Sequence, residues 1–364
     1  MHNGWTGGQY SLYRILFGLC LIGGFLAFLG PDPWVAAIVV VGSACSSAFL
    51  VGWRDRRAAA LIVGLGVALS VLSSEAPHAG RIFVGWLLFA HTMLPIAPYG
   101  SLSAVGRADP RGGWYMSRPV YFGTWALMAL WYSFTGFSML VYPGWLHGGA
   151  IDGYLYYRTS CLGPWSGLPL SSWESLVVAW VTRGIFLAHL LFAPVALFRR
   201  LRPWIWAAFA AMHLVALFVF GCFDFSVPML LLHAFTFDPA WIRPRGSRSP
   251  ETVFFDGTCG LCNGAIRFLV AEDAYGRFDY AALDSDLFRS SLSEEERCEL
   301  PDSVVVLTTD RRLLVRSRAV LHAAARLGGL WRLLGAAGSW VPRPARDAVY
   351  DFISKHRKGR GVRS

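Results

Sequence analysis

Lysine is almost missing from this chain of 364 residues, and nearly all of its basic side chains are arginines. The only lysines are Lys355 and Lys358, which excludes a lysine amine as a catalytic base in the first 354 residues. Acidic side chains are scarce as well: residues 1–250 hold 8 acidic and 16 basic residues, whereas residues 251–364 hold 15 and 17. This contrast predicts two parts that face different solvents.

A second cysteine pair is missing too. The chain has seven cysteines, and Cys259 and Cys262 are the only two with Cys-x-x-Cys spacing. An odd total argues against a framework of structural disulfides. A structural zinc ion needs four ligands, and beyond this pair the C-terminal part offers only the scattered Cys298, His322 and His356. The composition therefore favours chemistry at one isolated dithiol.

Long polar stretches are missing from residues 1–245, which argues against a large soluble helical core, whose helices would need polar faces. Apolar segments of roughly 20 residues, enough to cross ~30 Å of hydrocarbon, dominate instead. Eight membrane helices are predicted, at residues 10–30, 34–52, 58–74, 82–98, 120–142, 175–197, 204–222 and 226–240. The first is predicted to be a span rather than a cleaved signal peptide, because no clear basic segment precedes it.

Arginine marks one side of this predicted bundle. Twelve arginines fall in four short connecting segments, at residues 53–57, 99–119, 198–203 and 241–248. With eight spans, all four segments lie on one face of the membrane. Cytoplasmic loops are enriched in Lys and Arg, so both termini and the dithiol are expected on the cytoplasmic side of a plasma (inner) membrane. Basic charge distributed in this way serves membrane orientation and does not indicate a nucleic-acid partner.

The dithiol has the sequence context of a reactive pair. The apolar run Val253–Phe255 and Asp256-Gly257 precede Cys259 and Cys262, and an apolar-periodic helix pattern follows. This order predicts a strand, a turn, and a helix with two thiols in its first turn. The unpaired N–H groups and the dipole of a helix N-terminus stabilise a thiolate, and lower a cysteine pKa from about 8.5 to ~3.5–7.5. Redox chemistry is the favoured interpretation; half of a zinc site, or two structural cysteines, are the alternatives.

Roles for three residues follow from this placement. Cys259, nearer the turn, is predicted to attack a disulfide, and Cys262 to resolve the mixed disulfide from within the helix. The expected substrate is a disulfide-bearing protein or a small thiol compound. Asp256 has two equally weighted roles: it relays a proton to or from the buried thiol, or it caps the turn before the helix.

These residues also carry a family resemblance, which covers about residues 251–360. The motifs are Val253–Cys262, Asp302–Val306, Arg318–Val320, Val341–Tyr350 and His356–Arg357. In this order they resemble the DCC family of thiol-disulfide oxidoreductases, whose Asp-x-x-Cys-x-x-Cys signature is Asp256, Cys259 and Cys262 here. The resemblance implies a thioredoxin-like fold and dithiol–disulfide exchange.

The secondary structure of this second part is predicted from hydrophobic periodicity and turn residues. Strands are predicted at 252–256, 277–282, 303–308 and 312–316, and helices at 260–272, 293–299, 317–328, 331–339 and 344–357. Prolines and a glycine before them indicate a linker at 246–250. The predicted division is a transmembrane domain at 1–245, this linker, and an α/β thioredoxin-like domain at 251–364.

The membrane part resembles the horizontally transferred transmembrane (HTTM) domain, whose animal relative is vitamin K-dependent gamma-carboxylase. The matching stretches are Leu12–Leu19, Met212–Leu214, Phe220–Phe225 and Leu231–His233. The missing lysine is a departure from that family, because carboxylase chemistry of this kind calls for a lysine base. Carboxylation is therefore disfavoured, whereas binding of a quinone or another lipid stays open as an alternative.

Polar groups inside apolar spans are costly and tend to mark function. His91, His213, His233 and Arg14 are accordingly the candidate residues for binding a quinone. The alternative for each histidine is a packed side chain that is bonded to a neighbouring helix. For Arg14 the alternatives are a side chain that reaches the membrane surface, or a buried ion pair with Asp224 or Glu174.

Three functions remain open from the sequence. The favoured one is a membrane-anchored thiol-disulfide oxidoreductase that works through its dithiol, and coupling to a quinone or lipid in the bundle stays open. The second is a membrane enzyme that modifies a quinone or lipid and uses the dithiol as electron donor or acceptor. The third is a non-enzymatic scaffold whose cysteines bind metal.

Overall fold

The computed structural model describes residues 3–72, 79–151, 172–219, 221–301 and 303–357. Asp302 of the quoted motifs, Lys358, and Phe220 at the start of a matching stretch lie outside these residues. Contacts divide the chain into two compact units, each made of separate segments. The first unit holds residues 1–66, 94–117 and 238–364, and the second holds residues 67–93 and 118–237. The domain boundaries at 245 and 251 stay a sequence-based prediction.

In the part before residue 238, the regular secondary structure that the structure describes is helical, and turns and loops such as residues 105–117 connect the helices. Its helices are α1 Gly7–Leu26, α2 Pro33–Val51, α3 Asp55–Leu72, α4 Ala79–Thr92, α5 Arg118–Met139, α6 Pro143–His147, α7 Ser172–Leu197, α8 Arg202–Phe218 and α9 Phe223–Thr236. Apolar composition and good helix formers explain these elements, and prolines near the starts of α2, α6 and α8 suit the first turn of a helix.

Three of the described helices are long and apolar enough to cross a membrane: α1, α2 and α7. Helices α8 and α9 are apolar but shorter. The 14 residues of α4 rise only about 21 Å, less than the ~30 Å of a hydrocarbon core. The three long helices support membrane association, whereas the count of eight spans stays a prediction.

Glycines allow helices to approach closely within each unit. A Cβ on Gly18 of α1 would lie 2.6 Å from the Cβ of Leu50 in α2. In the second unit, a Cβ on Gly136 of α5 would lie 2.6 Å from the Cα of Leu190 in α7. Membrane helices use small residues in this way, because backbone contact replaces the hydrophobic driving force that is absent in lipid.

The C-terminal part alternates strands and helices. Its elements are β1 Glu251–Phe255, α10 Gly260–Glu272, β2 Phe278–Ala282, α11 Asp286–Ser291, α12 Glu294–Glu299, β3 Val305–Leu307, β4 Leu313–Val315, α13 Arg316–Leu327, α14 Gly329–Ser339 and α15 Arg343–Arg357. The helix predicted at 260–272 is confirmed with the same bounds. Helix α11 was not predicted; it forms because Ser285 caps the N–H of Phe288, whose ring packs on Phe254.

The four strands form one mixed sheet in the order β2-β1-β3-β4. Strand β1 pairs parallel to β2 and antiparallel to β3, and β3 pairs antiparallel to β4. Alternate residues of β1 enter two cores: Val253 packs with Ile266 and Leu269 of α10, and Phe254 packs with Phe288. Strand β1 ends at Phe255, and the turn with the dithiol follows directly.

The predicted linker is bound to the domain that it precedes. Arg326 of α13 is buried and donates to the carbonyl oxygens of Ser247 at 2.5 Å, Ser249 at 2.8 Å and Arg245 at 3.2 Å. Its Nε also lies 3.4 Å from the carboxylate of Glu251. Helix α9 ends at Thr236, before these prolines and the glycine, and the hydrogen bonds from Arg326 fix the path of this segment.

Candidate functional site

The dithiol lies at the start of helix α10. Cys259 is the N-cap residue, with φ −89° and ψ 115°, and its Sγ accepts a hydrogen bond from the N–H of Cys262 at 3.4 Å. Cys259 is partly exposed, whereas Cys262 is 4% exposed. The structure thus brings the two predicted cysteines together at the predicted helix start, and it separates an accessible thiol from a buried one.

Asp256 holds the turn that precedes this helix. Its Oδ1 accepts hydrogen bonds from the N–H of Thr258 at 2.9 Å and from the hydroxyl of Thr258 at 2.7 Å. The N–H of Cys259 donates to the carbonyl of Asp256 at 3.3 Å, and the Asn263 amide donates to the carbonyl of Gly257 at 2.9 Å. The geometry gives the carboxylate of Asp256 the capping role, and the proton-relay role stays a prediction.

A buried carboxylate lies at the other end of α10. Glu272 is 1% exposed and accepts hydrogen bonds from the N–H of Gly8 at 2.7 Å, from the Trp331 indole at 2.7 Å, and from the hydroxyl of Thr6. Burial raises the pKa of Glu272 above its ordinary value, and these hydrogen bonds oppose that rise. Because Thr6 and Gly8 begin helix α1, this carboxylate joins the dithiol helix to the N-terminus of an apolar helix.

Sequence reasoning missed Glu272. A glutamate near a helix end is usually solvated, and two of the partners of Glu272, Thr6 and Gly8, lie more than 260 positions away in the chain. One local signal was present: the helix dipole disfavours a carboxylate in the last turn, so a glutamate there needs another source of stabilisation.

Arg111 of the segment 94–117 also holds helix α10. Arg111 Nε donates to the carbonyl of Val270 at 2.7 Å, and its Nη2 donates to that of Asp273 at 3.3 Å. Arg267 of α10 donates in turn to the carbonyl of Ala108 at 3.2 Å. Arg111, which the sequence assigned only to membrane orientation, therefore also satisfies backbone carbonyls at the C-terminal end of the dithiol helix.

Arg14 is fully buried in the first unit. Its guanidinium lies 3.7 Å from the carboxylate of Asp55 and donates to the carbonyl of Gly100 at 3.4 Å. The expectation that Arg14 reaches the surface is wrong, and so is the expected pairing with Asp224 or Glu174. The short turn after α2 brings Asp55 back to α1, so Asp55 is the ion-pair partner of Arg14 instead. A role for Arg14 in binding a cofactor stays a prediction.

Two of the three predicted histidines meet at a tyrosine in the second unit. The hydroxyl of Tyr132 lies 2.8 Å from Nε2 of His213 and 2.8 Å from Nε2 of His233. These three side chains are at most 2% exposed, and the ring of Phe209 packs on Tyr132. His91 is also buried, on α4, but the hydrogen bonds of Tyr132 go to the other two histidines. Sequence reasoning missed Tyr132, whose hydroxyl in an apolar span was the available signal.

Metal ligation was the alternative for the cysteines. Within the residues that the structure describes, no group of three or more His, Cys, Asp or Glu side chains is arranged to hold a metal ion. The described cysteines are not joined in disulfides.

Comparisons with known proteins concern the C-terminal part. The model of the DCC1-like thiol-disulfide oxidoreductase family matches residues 253–361. The uncharacterized protein YuxK of Bacillus subtilis is 37% identical over 111 residues, which are 29% of this chain and 77% of that protein. A chloroplastic DCC family protein of Arabidopsis thaliana is 27% identical over 121 residues, 32% of this chain and 70% of that protein. No solved structure matches the chain.

Proposed function

Because the chain belongs, through residues 253–361, to the DCC1-like thiol-disulfide oxidoreductase family, we propose that it is a membrane-anchored enzyme that exchanges disulfides through Cys259 and Cys262. The observation that carries this proposal is the N-cap position of Cys259. There its sulfur accepts the N–H of Cys262 and lies at the positive end of a helix, the setting that favours a thiolate.

The first step uses the exposed cysteine. The Cys259 thiolate attacks one sulfur of a substrate disulfide, forms a mixed disulfide, and releases the other sulfur as a thiolate that takes a proton from solvent. Asp256 positions Cys259 by capping the turn through Thr258. The substrate is a disulfide-bearing protein or a small disulfide, since the partly exposed thiol is open to either.

The second step uses the buried cysteine. Cys262, once deprotonated, attacks the sulfur of Cys259, so that the Cys259–Cys262 disulfide forms and the second substrate thiolate leaves. The substrate gains two electrons and the dithiol loses two. An external thiol returns the pair to the reduced state, and the same steps in reverse oxidise a substrate dithiol.

A thioredoxin-like fold for the C-terminal part belongs to this proposal. Support comes from the sheet order β2-β1-β3-β4, with a parallel β1–β2 pair connected through α10 and an antiparallel β3–β4 pair. In such a fold the helix that follows the first strand carries the dithiol, as α10 does here.

Membrane anchoring is supported by the three long apolar helices. We place the enzyme in the plasma (inner) membrane with its dithiol domain in the cytoplasm, on the basis of the twelve arginines in the four connecting segments. In a reducing compartment structural disulfides are rare, and disulfides that do form are usually transient and catalytic.

Turnover of a small aromatic disulfide tests the proposal. The purified full chain, supplied with a thiol reductant, is expected to reduce it, and Cys259→Ser to abolish reduction. The matched control Cys298→Ser removes an exposed thiol on α12 and should leave the rate unchanged. Asp256→Asn keeps the capping oxygen and should retain the rate if capping is its role. Equal rates for Cys259→Ser and the control would reject the proposal.

We propose a second activity for the membrane part, the binding of a quinone or lipid next to His213 and His233. The observation that favours it is the buried Tyr132 hydroxyl between the two histidines, a polar cluster inside an apolar bundle. The HTTM resemblance gives it additional support. His91 and Arg14 stay candidates for the same role, although Arg14 belongs to the other compact unit.

Extraction of the purified protein tests this second proposal. A quinone or lipid should co-purify at a fixed ratio, and His213→Ala should lower that ratio without changing disulfide turnover. The matched control is His322→Ala, a histidine of the C-terminal part that pairs with Glu251. A ratio unaffected by His213→Ala, with normal expression, would contradict the proposal.

A further inference from the structure

The hydrogen bonds in the cluster of Tyr132, His213 and His233 restrict the protonation states of the two histidines. Each histidine presents Nε2 to the same hydroxyl oxygen, and both distances are 2.8 Å. The three side chains come from α5, α8 and α9 of one compact unit. A hydroxyl group has one proton and can also accept, so it can serve two nitrogen neighbours only if they differ in protonation.

The two Nε2 atoms therefore differ in protonation. The Tyr132 proton points at one Nε2, which must be bare to accept it. The other Nε2 must carry a proton and donate it to the tyrosine oxygen, because two bare nitrogens would leave one facing an oxygen lone pair. An imidazolium in this apolar setting would be a buried charge without a counter-ion at these bonds, which is costly. The two rings are therefore neutral and of opposite tautomers.

The second ring nitrogen of each histidine, Nδ1, faces away from Tyr132. Within the described residues, the Nδ1 atoms of His213 and His233 are buried and have no hydrogen-bond partner. Opposite tautomers make one of them a donor and the other an acceptor. A buried polar atom without a partner costs free energy, and such atoms tend to be kept where a protein uses them.

We propose that Tyr132, His213 and His233 form a proton relay inside the helical bundle, with the two Nδ1 atoms as its entry and exit. This activity is separate from dithiol exchange and does not depend on a quinone being the partner. The partner class is any donor–acceptor couple that gives a proton to one Nδ1 and takes one from the other.

The transfer balances within the three side chains. The ring with the bare Nδ1 accepts a proton there and gives its Nε2 proton to the Tyr132 oxygen. The tyrosine passes its own proton to the bare Nε2 of the second ring, and that ring releases its Nδ1 proton. One proton enters and one leaves, tyrosine is again neutral, and the two rings have exchanged tautomers. No electron is transferred.

Nitrogen NMR of the full chain in lipid nanodiscs, with ¹⁵N-labelled histidine, tests the relay. Protonated and bare ring nitrogens give separate signals, and His213→Gln and His233→Gln assign them. The expected result is one ring protonated at Nδ1 and the other at Nε2, with signals that broaden and merge on warming as the tautomers exchange.

Two substitutions separate the relay from packing. Tyr132→Phe removes the bridging oxygen and is expected to abolish the exchange. Tyr121→Phe is the matched control, because the hydroxyl of Tyr121 donates to the carbonyl of Thr236 at 3.0 Å and takes no part in the relay. The same tautomer in both rings of the unmodified protein, a charged ring, or opposite tautomers that never exchange would each overturn the proposal. All three results are read from spectra of the unmodified protein, and the two Gln variants serve only to assign its signals.

Discussion

At the scale of single residues, the two cysteines differ in access although they are three positions apart. Cys259 caps the helix and is partly exposed, whereas Cys262 is buried in its first turn. We therefore expect brief alkylation of the reduced protein near neutral pH to label Cys259 at least several-fold faster than Cys262, as measured by peptide mass spectrometry. Faster labelling of Cys262 would show that the attacking residue is assigned wrongly.

Glu272 gives a second prediction at this scale. Its raised pKa means that the folded protein holds the carboxyl proton more tightly than the unfolded chain does. The resulting stabilisation is fully present below the unfolded pKa of about 4.3 and is lost as pH rises through the folded pKa. Glu272→Gln should remove this fall in the free energy of unfolding, followed as the unfolding midpoint against pH.

A matched control for this prediction is Glu295→Gln, which changes an exposed glutamate of α12. The control should keep the pH dependence of the unmodified protein. Identical pH profiles for Glu272→Gln and the unmodified protein would mean that the buried carboxyl does not titrate in this range.

The residues that the sequence predicted share one property. Cys259, Cys262 and Asp256 lie within a seven-residue segment, so their spacing alone predicts their placement. Glu272 and Tyr132 depend on partners brought by distant segments, and no local pattern contains that information. The partner of Arg14 was predicted wrongly for the same reason.

At the scale of elements, helices α1 and α10 approach each other closely at Gly8 and Glu272. A Cβ on Gly8 would lie 2.6 Å from the Glu272 carboxyl, so Gly8→Ala should displace that group and weaken its bonds. We expect a loss of about 1–3 kcal/mol in the free energy of unfolding. Gly23→Ala on the same helix is the control, because a Cβ there has no neighbour within 4 Å. Equal free energies of unfolding for the two variants would show that the contact between Gly8 and Glu272 does not stabilise the protein.

Element boundaries were predicted well where the local signals were strong. The helix of residues 260–272 starts after a turn and has apolar residues at helical period, and its bounds are confirmed. Strands β3 and β4 are shorter than predicted, with three residues each. The ends of β3 depend on pairing with β1 and those of β4 on pairing with β3, and sequence patterns do not encode these pairings.

At the scale of the whole molecule, arginine placement predicts one topology. A reporter fused after Ser364 should behave as cytoplasmic, because the twelve loop arginines are expected on that side. An enzyme reporter that is active only in the cytoplasm, and a second that is active only after export, measure this directly. Activity of the exported reporter at this position would reverse the assignment of sides.

The central claim is that Cys259 attacks a disulfide and Cys262 resolves the product. The most direct test is to replace Cys262 by Ser in the full chain, expose cells or lysate to it, and identify by mass spectrometry what stays disulfide-linked. We expect partners attached at Cys259, released by reductant, and missing when Cys259→Ser is added. Partners attached only at other cysteines, or equal capture by the Cys259→Ser protein, would contradict it.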